Sequence, residues 1–374
     1  MRRILYLMTC LFFGSEAKAQ KPNYNLVIGT YTAPGISEGI YVYDFNVKDA
    51  SSRLKSVTKN VANPSFLAVP PGSKFIYSVN ETGATSSVSA FSFKPKSGGL
   101  TFLNKQDSRG ANPCYLIADL KHVIVANYSG GSLAVFGRKA DGSLTEATQV
   151  IQHTGKSIDP LKRQESAHVH QVQFSPDHRY LICNDLGEDQ IYLYNYNPAD
   201  ANQPLSIKTV IKTNAGSGPR HLTFSPNGKF AYLVHEYNGS ITAFTYSDGT
   251  LNKIQEIASV SPDFEGEIDG ADIHISPDGR FLYETNRGDA NTISVFSILP
   301  TGTLKFIESV STMGKGPRNF VIDPTGNYLL VGHQYTNNIV VFKRDRTTGT
   351  LKDTGKRIDV GAPVCLVFTP SINK

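Results

Sequence analysis

Ionisable and other polar side chains recur at corresponding places in four consecutive segments of the chain. One set begins apolar strands of similar pattern and comprises His170, Arg220, Asp272 and Arg318. A second set lies where the next strand ends and comprises Asp185, His235, Glu236, Asn286, Arg287, His333 and Gln334. Histidine and glutamate act as general acids and bases, and the planar guanidinium of arginine binds carboxylates, phosphates and oxyanions. Brought together in a concave site, these residue types would form a candidate active site for a small molecule.

The frame for these side chains is a sequence pattern that occurs seven times, about fifty residues apart. Each copy contains an apolar strand, a turn of the Ser-Pro-Asp-Gly type, an aromatic-rich strand and a β-branched strand. The copies are clearest at residues 219–232, 271–283 and 317–328. A Gly-x-Leu phrase opens a further strand at Gly142, Gly249, Gly302 and Gly349. Units of this size cannot bury an apolar face alone, so they must pack on one another.

The repeats predict an all-β fold, a seven-bladed β-propeller with four antiparallel strands per blade. The first, innermost strands are predicted to start at Ser65, Cys114, His170, Arg220, Ala271, Arg318 and Val364. Residues 26–45 supply a second and a third strand, whereas residues 364–368 supply only a first strand. The two chain ends are therefore predicted to share one blade, which removes the exposed sheet edges that promote aggregation.

Antiparallel strand order predicts where the chemistry lies. The starts of the first strands and the ends of the second strands fall at one end of the ring, and the Ser-Pro-Asp-Gly turns fall at the other. We therefore predict a polar mouth around the central channel. The longest interval between repeats contains residues 155–168, a loop that enters at this mouth and is expected to cover it. A structural ion pair is the alternative to a catalytic role for Arg220 and Glu236.

Composition and the N-terminus predict a single exported domain. The chain has 374 residues, of which 18% are charged and 40% hydrophobic, an ordinary soluble balance. Residues 1–19 combine Arg2 and Arg3, a short apolar stretch and an Ala-Lys-Ala cleavage site, which is typical of a signal peptide. We predict a single mature domain, residues 20–374, that is periplasmic or secreted. Loss of three basic residues and one acidic residue lowers the formal charge from +5 to +3, too little for a nucleic-acid surface.

The remaining titratable residues carry no predicted catalytic role. The odd number and the spacing of the mature chain's cysteines favour buried free thiols over disulfides or a zinc site; they are Cys114, Cys183 and Cys365. Three histidines are predicted to face solvent without partners: His122, His153 and His178. No cluster of metal ligands is evident, so we expect neither a metal nor another cofactor. We expect a monomer whose partner is a small-molecule lactone or acid, with no nucleic acid and no membrane span.

At these residues the chain resembles the lactonase family of seven-bladed propellers, which includes propeller-type 6-phosphogluconolactonases and fungal carboxymuconate-lactonising enzymes. The resemblance covers essentially the whole mature chain and is most specific in residues 163–171, 184–189, 218–224, 235–236 and 271–288. It implies a catalytic set of His170, with His168 as the alternative histidine, together with Arg220, Glu236 and Arg287. The other polar residues of the mouth are expected to bind substrate: His168, Asp185, His235, Asp272, Asn286 and Arg318.

The resemblance implies hydrolysis of a sugar-acid or related lactone, as in 6-phosphogluconolactonases. Such a reaction needs a positioned water, a base and positive charge for the oxyanion. Glu236 or His170 is the predicted base, and two arginines are predicted to hold the oxyanion and a carboxylate or phosphate, namely Arg220 and Arg287. Because no Gly-x-Ser-x-Gly motif is present, direct attack by water is preferred over an acyl-enzyme. Two alternatives stay open: a muconate-type lactonising cyclase, and a non-catalytic periplasmic propeller that binds a sugar acid or a protein.

Overall fold

Seven four-stranded antiparallel sheets form the ring that the repeats predict. A computed structural model of the chain describes residues 23–33, 35–72, 74–158, 162–261 and 263–371. The predicted signal peptide, residues 1–19, lies outside the described residues. No helix among the described residues has the length and apolar character needed to cross a membrane.

The blades follow one another along the chain, each running from the channel outward. Blade 1 joins the chain ends and contains β1 (Asn23–Thr30), β2 (Gly39–Asn46) and β3 (Ser52–Lys59), with β28 (Pro363–Pro370) innermost. Blade 2 contains β4 (Leu67–Ala68), β5 (Phe75–Asn80), β6 (Ser87–Lys94) and β7 (Gly99–Asp107), with a short 3-10 helix at Gly83–Thr85. Blade 3 contains β8 (Pro113–Ala118), β9 (His122–Asn127), β10 (Ser132–Arg138) and β11 (Leu144–Gln152). Blade 4 contains β12 (Val169–Phe174), β13 (Tyr180–Asp185), β14 (Gln190–Tyr196) and β15 (Leu205–Lys212).

The last three blades repeat this order. Blade 5 contains β16 (Pro219–Phe224), β17 (Phe230–His235), β18 (Ser240–Ser247) and β19 (Thr250–Ala258). Blade 6 contains β20 (Gly270–Ile275), β21 (Phe281–Asn286), β22 (Thr292–Ile298) and β23 (Leu304–Ser311). Blade 7 contains β24 (Pro317–Ile322), β25 (Tyr328–His333), β26 (Asn338–Arg344) and β27 (Leu351–Asp359).

The predicted seven-bladed propeller is confirmed, including the blade that both chain ends share. In that blade β28 pairs antiparallel with β1, so that Val367 lies opposite Val27. Six of the innermost strands begin one residue before the predicted start. The exception is β4, which is only two residues long and begins after Ser65.

The hydrophobic core lies between blades rather than within them. Each of seven clusters of buried apolar side chains combines strands of two neighbouring blades. Tyr77 and Val79 of blade 2, for example, pack with Val123 and Val125 of blade 3. Both faces of the second strands are therefore buried, as in β9, β13 and β25.

The Gly-x-Leu phrase marks a close contact between neighbouring blades. Gly302 has a φ of +84°, and a Cβ placed there would lie 2.2 Å from the ring of Phe230 in the preceding blade. Its carbonyl oxygen accepts a hydrogen bond of 2.9 Å from the hydroxyl of Tyr232. Gly142, packed on Phe75, and Gly349, packed on Phe281, repeat this arrangement. The phrase therefore requires glycine both for its backbone angle and for the space it leaves to an aromatic ring.

Replacing Gly302 by alanine is expected to lower the free energy of unfolding more than the same change at Gly355. Both glycines have positive φ, but a Cβ at Gly355 meets no atom within 4 Å. The backbone cost of about 1–2 kcal/mol applies to both variants. The clash with Phe230 adds about 1–3 kcal/mol to Gly302→Ala alone. Denaturant unfolding of the two variants measures the difference, and equal losses would show that the ring contact contributes nothing.

Candidate active site

A β-bulge at the start of the innermost strand sets one side chain apart from the ladder in six of the seven blades. In blade 4, Val169 lies opposite Asp185 and Gln171 lies opposite Asn184, which leaves His170 as the extra residue. The extra residues are Cys114, His170, Arg220, Ala271, Arg318 and Val364. Bulges of this kind commonly re-aim a side chain beside an active site. These six positions match the strand starts that the sequence predicts.

The predicted catalytic residues meet around the carboxylate of Glu236, which directly follows β17 and is buried. Arg220 Nε donates a hydrogen bond of 2.8 Å to Glu236 Oε2, and Arg287 Nη2 lies 3.1 Å from the same oxygen. His170 Nε2 lies 4.0 Å from it. Three blades thus contribute one cluster, in which the two guanidinium groups share a carboxylate.

Arg163 is a member of this cluster that the sequence prediction missed. Its Nη2 donates to Glu236 Oε1, and its guanidinium lies 4.8 Å from the centre of the Tyr237 ring. Its side chain is 40% exposed, whereas those of the other cluster members are buried. Arg163 belongs to the loop 155–168, which was predicted to enter at the mouth, and residues 159–161 of that loop lie outside the described residues. The sequence did contain a signal for this role, because Arg163 begins segment 163–171, one of the segments in which the resemblance to the lactonase family is most specific.

The arginines keep Glu236 ionised despite its burial. Burial alone would favour the neutral acid, but Arg287, Arg220 and Arg163 hold the pKa of the Glu236 carboxyl well below its usual range. Asp269 lies on the outer side of the cluster, with Oδ1 2.8 Å from Arg287 Nη2. Burial raises the pKa of Asp269, and the charge of Glu236 adds to this effect. At neutral pH Glu236 is therefore a poor proton acceptor and a strong anchor for cations.

His170 has the opposite electrostatic character. Burial, followed by the charge of Arg220, holds the pKa of its imidazole well below the usual range, so the ring is neutral at pH 7. Its Nδ1 is buried and has no hydrogen-bond partner among the described residues, and the ring meets Tyr128 and His221 edge-on. A carboxylate beside Nε2 favours the tautomer with hydrogen on that nitrogen, which leaves Nδ1 as a free acceptor. Arg287 Nε is likewise buried and has no partner in the ranges that the structure describes.

A small cavity of about 10 Å³ lies in the channel beside these groups and is lined by His170, Arg220 and Arg318, among others. This volume corresponds to roughly one water molecule. Arg318, on the far side of the cavity, has no hydrogen bond or ion pair with any described residue. Its guanidinium carbon lies 5.7 Å from the centre of the Tyr31 ring.

Three residues predicted to bind substrate have partners between the strands. Each is the last residue of a second strand. Asp185 Oδ2 lies 2.6 Å from His153 Nδ1, His235 Nε2 lies 2.9 Å from Thr242 Oγ1, and Asn286 Nδ2 donates to Ser259 Oγ at 2.8 Å. Asn80 and Asn127 occupy the same position in other blades and hold backbone carbonyls. The shared position points to loop anchoring, and substrate contact by these three residues stays a prediction.

Asp272 and His168 occupy two further positions. Asp272 lies one residue beyond the bulge, where Oδ2 accepts from Asn319 Nδ2 at 2.6 Å and Oδ1 lies 2.9 Å from His221 Nδ1. It also accepts the backbone N–H of Phe320 and so joins the inner strands of blades 6 and 7. His168 stacks on Tyr128 beside the mouth, with ring centres 4.6 Å apart. Of Asp272 and His168, only His168 has a ring that contacts Tyr128, which the ring of His170 also contacts.

The prediction that three histidines face solvent is wrong for two of them. His122 is buried and lies 2.8 Å from the hydroxyl of Tyr196, and His153 is buried between Asp185 and Tyr194. The sequence hid these partners because they belong to the next blade. His153, Asp185 and Glu188 offer three possible metal ligands within 4.8 Å, a cluster that the sequence did not suggest. Both nitrogens of His153 and the carboxylates of Asp185 and Glu188 already form hydrogen bonds with the protein. The cluster therefore connects blades 3 and 4.

Comparisons with known proteins agree with this architecture. A family model described as "Lactonase, 7-bladed beta-propeller" matches residues 25–368. A 6-phosphogluconolactonase of Formosa agariphila is 38% identical over 355 residues, which cover 92% of this chain and 100% of that protein. A 6-phosphogluconolactonase of Bacillus subtilis is 36% identical, over 91% of this chain and 97% of that protein. The structure of a periplasmic gluconolactonase from Pseudomonas aeruginosa superposes with a TM-score of 0.89 at 36% identity, covering 94% of this chain and 100% of that one.

Glu236→Gln is expected to destabilise the protein by about 3–5 kcal/mol at neutral pH, because it leaves buried guanidinium groups without a counter-charge. The folded pKa of Glu236 is lowered, so its ionised form stabilises the fold above the unfolded pKa of about 4.3 and loses this effect as the pH falls. Unfolding of both proteins between pH 3 and pH 8 measures the effect.

The difference between wild type and variant should be constant above about pH 5 and narrow below the unfolded pKa of about 4.3. Glu38→Gln is the control, because Glu38 pairs with Lys59 on the surface and both side chains are at least half exposed. It should cost less than about 1 kcal/mol. A pH-independent loss in Glu236→Gln would contradict the electrostatic explanation.

Proposed function

Because this chain belongs to the lactonase family of seven-bladed β-propellers, we propose that it hydrolyses a sugar-acid lactone at the mouth by direct attack of water. The observation that carries this assignment is the neutral His170, whose Nδ1 is buried beside an ionised Glu236 and has no partner in the part of the chain that the structure describes. A proton acceptor with a free lone pair, next to fixed positive charge, is what ester hydrolysis by water requires.

His170 is the general base in this proposal. Its Nδ1 accepts a proton from the attacking water while the water oxygen bonds to the lactone carbonyl carbon. The imidazolium that forms is stabilised by Glu236 Oε2, 4.0 Å from Nε2. Of the two bases predicted from the sequence, His170 is favoured because its Nδ1 has no partner among the described residues, whereas both carboxylate oxygens of Glu236 accept hydrogen bonds from arginines.

The arginines supply the positive charge that the tetrahedral intermediate needs. Arg287 Nε is a buried donor without a partner, and Arg220 lines the cavity beside His170. These donors stabilise the carbonyl oxygen as it becomes an oxyanion. Collapse of the intermediate breaks the ring C–O bond, and the proton held by His170 passes to the departing ring oxygen. The product is the open-chain hydroxy acid.

Arg163 is a positioning residue, because it holds the carboxylate of Glu236. It reaches Glu236 from the loop that enters at the mouth, and it is the most exposed member of the cluster. A substrate that enters must pass this side chain. The lactonising and non-catalytic alternatives are less favoured, because the named relatives are described by hydrolytic lactonase activities.

Export to the periplasm is part of this proposal. The positive, apolar and small-residue regions within residues 1–19 support it, and a structurally similar gluconolactonase is described as periplasmic. The substrate would then be a lactone present outside the cytoplasm. The proposed monomeric state can be checked by light scattering of the mature protein.

His170→Asn is expected to lower kcat on a sugar-acid lactone by about 10²–10⁴-fold, the usual contribution of a general base. Activity of the wild type should fall as the pH drops through the His170 pKa, because the protonated ring cannot accept a proton. Since that pKa is lowered, this acid limb should lie below about 6.5, the value of an ordinary histidine. Acid release in a pH-stat measures both effects.

The control for this variant is His178→Asn, which changes an exposed histidine in the turn at the opposite end of the ring. It should retain wild-type turnover. The base assignment is rejected if His170→Asn keeps kcat within threefold of wild type.

Expression of the full chain in a Gram-negative host is expected to yield a periplasmic protein whose first residue is Gln20. Signal peptidase requires a small residue before the cleaved bond, so Ala19→Leu should leave the leader attached. Cell fractionation and intact-mass measurement test this. A cytoplasmic product of full length from the wild-type chain would refute export.

A further inference from the structure

The mouth contains a second group of polar side chains, opposite the Glu236 cluster. Arg318 belongs to blade 7, Tyr31 to blade 1 and Glu81 to blade 2, so the group spans the other side of the ring. In the Glu236 cluster every arginine pairs with a carboxylate. Arg318 differs because it has no hydrogen bond or ion pair with the residues that the structure describes. Against the effect of burial, the charges of Glu81 and Glu236 raise the pKa of Arg318 from a distance, so the half-buried guanidinium stays ionised while its N–H donors have no acceptor among the described residues.

The residues around Arg318 form hydrogen bonds with one another and not with Arg318. The hydroxyl of Tyr31 donates to Glu81 Oε2 at 2.8 Å, and Ser65 Oγ donates to the same oxygen at 2.6 Å. Tyr31 in turn presents its ring to Arg318. Glu81 therefore orients the tyrosine, and the donors of Arg318 stay available.

A cavity of about 410 Å³ adjoins this group and shares Tyr31 and Glu81 as walls. Gln334 lines it as well, and Gln334 Oε1 is buried with no hydrogen-bond partner within the described part of the chain. Ile36 and Tyr335 contribute exposed apolar surface at its rim. The volume lies within the usual range of small-molecule sites, about 300–1,000 Å³.

We infer that Arg318, supported by Tyr31 and Gln334, forms a separate subsite for an anionic substituent of the lactone, a phosphate or a second carboxylate. The ester end of the same molecule would lie at His170, since Arg318 and His170 line one cavity. A guanidinium binds either oxyanion through two parallel hydrogen bonds, and the amide of Gln334 can bind the neighbouring hydroxyl groups. The inference rests on the proposed function for the identity of the ligand, and it makes Arg318 the residue that selects charged over neutral lactones.

Equilibrium binding of open-chain acids tests the subsite without turnover. Titration calorimetry with 6-phosphogluconate, glucarate and gluconate should show that wild type binds the first two at least tenfold more tightly than gluconate. The ratio between 6-phosphogluconate and glucarate separates a phosphate subsite from a carboxylate subsite. Arg318→Gln should reduce the preference over gluconate to less than threefold, and Arg318→Lys should retain part of it, because it keeps the charge but not the paired donors.

Arg53→Gln is the matched control, because it removes the same charge from an exposed position on the outermost strand of blade 1. It should leave the preference unchanged. Equal binding of all three acids by wild type, or a preference that survives in Arg318→Gln, would overturn the inference. If Arg318→Gln fails to fold, Arg318→Lys decides: a preference below that of wild type supports the subsite, and an unchanged preference overturns it. Selective binding without hydrolysis of any lactone would contradict the proposed function but leave the subsite standing.

Discussion

One buried carboxylate organises the mouth of this propeller. Glu236 is shared by Arg220 of its own blade, Arg287 of the next blade and Arg163 of the loop that enters at the mouth. Without this charge, three guanidinium groups would repel one another in a region of low dielectric. With it, they are held within reach of one small volume. The same charge lies beside Nε2 of His170 and so selects the tautomer that leaves Nδ1 free.

The β-bulge at the start of the innermost strand is repeated around the ring, but the side chain that it presents differs from blade to blade. A bulge at the start of the innermost strand presents one residue in most blades, yet that residue is Val364 in blade 1, Cys114 in blade 3 and Ala271 in blade 6. Only blades 4, 5 and 7 place an ionisable nitrogen base or cation there: His170, Arg220 and Arg318. Repetition therefore supplies the geometry, and variation confines the chemistry to part of the ring. The paired and unpaired arginines divide the mouth into two regions of different character.

Sequence patterns identified positions more reliably than roles. His170, Arg220, Glu236 and Arg287 lie together, because the start of an innermost strand and the end of the strand that follows it fall at the same end of a closed ring. Asp185, His235 and Asn286 come from the same strand ends but hold loops, since the last residue of a strand and the residue after it point in different directions. The last residue of a second strand, such as His235, therefore anchors a loop, whereas the next residue, Glu236, lies in the mouth. Strand periodicity alone does not fix which residue is the last of a strand.

The sequence by itself determined the number of blades, the closure of the ring by both chain ends and the half of the ring that carries the ionisable residues. These follow from local properties: apolar alternation, turn residues and a repeat too small to fold alone. Only the tertiary structure decided which carboxylate meets which guanidinium, that Arg163 reaches Glu236 across 73 residues, and that Arg318 has none of these pairings. Such contacts join different blades, and no local pattern encodes the distance between side chains that the ring brings together.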